Sequence, residues 1–105
     1  MIYLYICVMT HSESIKSTLS GIKSELAQKY NVSSIGIFGS AVRDDFSSEH
    51  SDIDIIVDFS KPIGIEFINL ADFLENKLHR KVDLVSKKGI KEAYYREIER
   101  EIIYV

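Results

Sequence analysis

The chain has 105 residues, 46% hydrophobic and 28% charged, with a net charge of −3. That composition belongs to one soluble globular domain rather than a disordered or fibrous protein, and the length gives one core with no room for a separate substrate domain. The acidic balance lacks the basic footprint of a nucleic-acid binder, so nucleic acid is not the expected partner, while the single cysteine, Cys7, excludes a disulfide framework and a cysteine-based zinc site and suits a reducing cytoplasm.

In chain order, the opening MIYLYICV is apolar but has no basic flank or cleavage site, and it is far shorter than the ~20 residues of a membrane span. Residues 1–8 of this single 1–105 domain read as a start extension, an edge strand or a contact surface. Residues 12–30 carry Ile15, Leu19, Ile22 and Leu26 at helical spacing, with Ser12 or Thr10 as N-cap and Asn31 as the stop. Residues 33–38 form a short apolar run into Gly39, the pattern of a buried strand ending in a tight turn. A second strand is predicted over residues 51–59.

Pro62 and Gly64 then mark the start of a helix over about 64–79, with Ile65, Ile68, Leu70, Leu74 and Leu78 on its apolar side. KVDLVS at 81–86 is a third strand. GIKEAYYREIEREI reads as a charged helix with a solvated face of intrahelical pairs, its Tyr94 and Tyr95 contacting the core or a partner. The terminal IIYV is either its last turn or a short strand. This order indicates a small mixed sheet flanked by helices, in an α/β or α+β domain. His11, His50 and His79 lack ligand spacing and read as surface or loop residues.

The chemistry concentrates in GIFGSAVRDDFSSEHSDIDIIVDF, residues 36–59. Residues two apart in a strand share a face, so Asp52 and Asp54 project together while Ile53 and Ile55 enter the opposite side. Adjacent carboxylates repel unless one is protonated, both are solvated, or a cation lies between them. Hard oxygen donors of this kind suit Mg²⁺, and Asp83, flanked by Val82 and Leu84, offers a third. Gly39 allows close backbone approach to a ligand, N–H groups of a short helix beginning at Ser40 would face phosphate oxygens, and Arg43 is placed to meet a phosphate with its guanidinium fork. Asp58 lies on the same face by parity and reads as a turn residue.

A Gly-Ser pair, eleven residues, Asp-Ile-Asp and a later strand aspartate together resemble the DNA polymerase β-type nucleotidyltransferase signature. The small size and the GSAVR…SDIDIIVDF wording are most similar to the minimal nucleotidyltransferases that pair with HEPN-domain toxins as antitoxins. The resemblance implies the polymerase β-like fold. It implies that Gly39 and Ser40 hold a triphosphate, with Arg43 and Ser51 beside them, that Asp52 and Asp54 bind two Mg²⁺ ions, and that Asp83 completes the metal site and helps activate the acceptor. The implied reaction moves AMP from ATP to a tyrosine hydroxyl of a HEPN toxin, in a type VII-like toxin–antitoxin pair, and blocks the toxin's ribonuclease activity.

Many relatives have glycine after the arginine, whereas Asp44 and Asp45 follow Arg43 here, so a loop salt bridge competes with the phosphate role for Arg43. The chain has no arginine with a histidine a few residues later, the motif expected of the toxin half. With no acceptor domain of its own, the acceptor comes from another protein or from a second copy in a homo-oligomer. Two alternatives remain: an antitoxin that neutralises its partner by binding alone, and an aminoglycoside-type small-molecule transferase, which the missing extra domain disfavours.

Overall fold

The computed structural model describes residues 11–39, 42 and 52–105. Its elements are α1 (His11–Tyr30), β1 (Val32–Phe38), β2 (Ile53–Phe59), α2 (Glu66–Leu78), β3 (Val82–Ser86), α3 (Glu92–Ile98) and β4 (Ile103–Tyr104). The expectations for Cys7, His50 and the 1–8 segment fall outside the described residues. Among those described, no helix is long and apolar enough to cross a membrane.

The four strands form one mixed sheet in the order β3-β2-β1-β4. β1 pairs antiparallel with both β2 and β4. Because α2 carries the chain back across the sheet, β3 enters parallel to β2. The odd-numbered residues Ile35, Ile37, Ile53, Ile55 and Val57 point to one face, where they are buried against Ile15, Leu19 and Leu26 of α1 and Leu70 and Leu74 of α2. The other face packs Phe38 and Ile56 against Ile98 of α3. Helices therefore cover both faces, an α/β arrangement with one short helix on the side that carries the aspartates.

Helix boundaries follow the backbone chemistry. Asn31 ends α1 and His79 ends α2, each at φ 57°, the left-handed conformation that stops a helix. His79 is exposed, as expected for a surface histidine. Gly64 donates its N–H to Glu66 Oε2 at 2.9 Å, which ties down the approach to α2.

Two expectations need correction. The apolar side of α2 contains Phe67, Leu70, Leu74 and Leu78, whereas Ile65 and Ile68 are 74% and 61% exposed. Ile65 precedes the helix, and Ile68 lies off the stripe that runs through 67, 70, 74 and 78. The third helix is also shorter than predicted, ending at Ile98, because residues 103–104 leave it to pair with β1 as β4. The second of the two alternatives for IIYV is the observed one.

Candidate active site

β1, β2 and β3 bring their chemistry to one end of the sheet through register alone. Phe38 lies opposite Asp54 across the β1–β2 pair, and Asp54 lies beside Asp83 across the parallel β2–β3 pair. Gly39, Asp54 and Asp83 thus follow one another across three strands. Ile53 and Ile55 on either side of Asp54 have no exposed surface and fix its parity toward the α3 face. Asp83 is exposed between half-buried Val82 and Leu84, and Asp52 is exposed just before β2. Of the three predicted aspartates, Asp54 and Asp83 are neighbours across β2 and β3, and Asp52 precedes β2 and acts on Asp54 through its charge.

Their electrostatics are those of carboxylates that act on one another. The carboxyl of Asp54 is pushed up from 3.8 to about 6. Burial contributes most; the charge of Asp83, a hydrogen bond with it, and the charges of Asp52 and Glu101 add to it. Such a cluster favours either a proton shared between Asp54 and Asp83 or a cation. Among the described residues, no three His, Cys, Asp or Glu side chains stand as a closed ligand set. Mg²⁺ does not require one, since it binds through one or two carboxylates and fills its shell with water and phosphate oxygens. In donor chemistry, the Asp54–Asp83 pair with Asp52 beside it fits that ion.

Gly39 shows why only glycine suits its place. Its φ is +69°, and a Cβ there would collide with Asp54 Oδ2. Its carbonyl accepts the Val42 N–H at 3.1 Å, so the backbone curls directly after β1, as the predicted strand-to-turn transition requires. Ser40, Arg43 and Ser51 lie outside the described residues, as do Asp44 and Asp45. Asp58 shares the face but sits at the far end of β2. It is a strand residue paired with Ser34 rather than the expected turn residue, accepts the Phe59 N–H at 2.9 Å, and borders a separate cavity of about 420 Å³ with Lys61, Phe67 and Lys88.

Two residues that the sequence reading gave no chemistry sit at this end of the sheet. Glu101 is not on a solvated helix face; its Oε1 accepts the Gly39 N–H at 3.0 Å. The β1–β4 register explains this, since the Gly36–Tyr104 and Ile37–Ile103 pairs, extended by two residues, bring Gly39 opposite Glu101. Tyr94 packs its ring edge-on against Phe38, with centroids 6.5 Å apart. Burial pushes the pKa of its phenol above the ordinary value, with further contributions from the charges of Asp54, Asp83, Glu101 and Glu97. No local sequence signal marks either residue, because both depend on how the C-terminal segment folds back. The expected intrahelical pairing does occur, between Arg96 and Glu92 at 2.7 Å.

Residues 19–105 match the family described as Nucleotidyltransferase domain. The protein adenylyltransferase MntA of Thermococcus cleftensis is 43% identical over 94 residues, covering 89% of this chain and 94% of that protein. A solved minimal nucleotidyltransferase superposes with a TM-score of 0.76 at 25% identity, over 91% of this chain and 97% of its own. A complex of a tri-AMPylated HEPN toxin with an MNT antitoxin from Shewanella oneidensis contains a chain of similar fold. Its TM-score is 0.63 at 23% identity, over 86% of this chain and 70% of that one.

Proposed function

The chain belongs to the nucleotidyltransferase domain family, and we propose that it is the antitoxin of a toxin–antitoxin pair that transfers AMP from ATP to a tyrosine hydroxyl of a HEPN-domain partner in the cytoplasm. The observation that carries this reading is the contact of Asp54 with Asp83 on neighbouring parallel strands, with the Gly39 turn directly against Asp54. A cluster of acids that is unfavourable by itself becomes favourable around cations carrying a triphosphate. The adenylyltransferase activity named for the Thermococcus relative and the HEPN partner named for the Shewanella complex supply the acceptor class.

In this mechanism Asp52, Asp54 and Asp83 would hold two Mg²⁺ ions, whose bound charge would supply stabilisation for the in-line displacement. The turn that begins at Gly39, with Ser40 and Arg43 following it and Ser51 preceding Asp52, receives the phosphates. Asp83, the most open of the strand-borne carboxylates, takes the proton of the incoming hydroxyl.

The test is transfer of label from ATP carrying a radioactive α-phosphate to the HEPN protein encoded beside this chain, in the presence of Mg²⁺. Label on that protein, absent with Asp54→Asn, is the expected result. A stable complex that forms without any label would replace this reading with a binding-only antitoxin.

A further inference from the structure

Tyr94 lies at the end of the sheet that carries Asp54 and Asp83. It is the third residue of α3, and its ring is held edge-on by Phe38, the residue that pairs with Asp54 and precedes Gly39. It is 41% exposed while its ring packs on Phe38. The hydroxyl lies within the electrostatic field of Asp54 and Asp83.

The other described tyrosines are placed elsewhere. Tyr30 packs on Phe73 under the opposite face of the sheet. Tyr95 turns toward the small core beneath α3, with the Lys87 ammonium over its ring. Tyr104 bonds with Tyr95 and faces Asp58 and Glu99, at the other end of the strands.

We propose that the chain adenylylates its own Tyr94, an intramolecular transfer that competes with the partner's tyrosine for the same activated ATP. This inference rests on the adenylyltransferase reading above and extends it to an acceptor within the chain. In the step, Tyr94 Oη attacks the α-phosphorus and forms the Oη–P bond. The bond from that phosphorus to the bridging oxygen breaks, and pyrophosphate leaves with that oxygen. The phenolic proton passes to Asp83 or Asp54. The product is a tyrosyl-AMP phosphodiester beside the acid cluster, where it adds negative charge and fills the space an incoming tyrosine needs. A chain so modified is slowed toward its partner, and a chain already docked on its partner is protected from modifying itself.

The experiment incubates the purified chain alone with α-labelled ATP and Mg²⁺, maps the modified peptide by mass spectrometry, and runs a parallel reaction with the HEPN partner present. Expected is AMP on the peptide containing Tyr94, formed with a first-order rate constant that does not change on dilution. Tyr94→Phe, which keeps the ring packing on Phe38 and is checked for an unchanged melting curve, loses this label. Partner labelled while the chain alone stays bare, or carries its label on another tyrosine, overturns self-transfer and leaves the function standing. A rate that falls with dilution overturns the intramolecular route. Label on neither protein overturns the adenylyltransferase reading, and self-transfer with it.

Discussion

Asp54 is held in the folded chain with a carboxyl near pH 6, against 3.8 ordinarily. Between those values the folded protein keeps a proton that the unfolded chain has released. This group's contribution to the stability of the metal-free protein is therefore greatest at low pH and declines as pH rises through about 6. Asp54→Asn removes the charge while keeping the shape. In EDTA it should melt above the wild type at neutral pH, and the two curves should converge as pH falls below 3.8. A variant that melts lower at every pH would make the carboxylate a structural group instead.

At the scale of elements, α2 provides a direct contrast. Leu74 has no exposed surface and joins α2 to β1, β2 and α1, so Leu74→Ala should cost about 2–5 kcal/mol. Ile68 on the same helix is 61% exposed, and Ile68→Lys should stay within about 0.5 kcal/mol of the wild type. Chemical denaturation of both variants checks the face assignment.

The same helix shows how far the sequence could be read. The strands, their parity and the stops at Asn31 and His79 were legible, because apolar alternation and left-handed caps are local. Which isoleucines of α2 turn inward was not, since Ile65 and Ile68 look as apolar as Leu70 until packing selects a stripe. The proximity of Asp54 to Asp83 was legible because strand parity and flanking aliphatics fix their direction. Glu101 and Tyr94 were not, because their neighbours are set by a strand pairing that links positions 39 and 101.

Over the whole molecule, a net charge of −3 and a concentration of acids at one end of the sheet would, under the proposed function, make divalent cations stabilising ligands. Binding at ten times Kd adds about 1.4 kcal/mol, a rise of roughly 5–10 °C in Tm for a domain of this size. Mg²⁺ should therefore raise the melting temperature above that in NaCl of equal ionic strength, and Asp54→Asn should lose most of that difference. Equal melting in both salts would remove the metal from the proposed site.

The β4 strand lies over Gly36, where an added Cβ would come within 2.9 Å of Ile102 Cγ2 and 3.0 Å of the Ile103 carbonyl. β1 is the first of the four strands to leave the ribosome, and β4 is the last. While residues 101–105 remain in the exit tunnel, β1 has an open edge and the Gly39 N–H has no carboxylate to receive it. Asp54 and Asp83 can already be side by side on nascent β2 and β3, but the fourth carboxylate and the β4 pairing arrive only once residues 101–104 have emerged. Completion of this end of the sheet thus waits on that late segment, so a chain cut off before residue 101 would display the aspartates without Glu101 and β4.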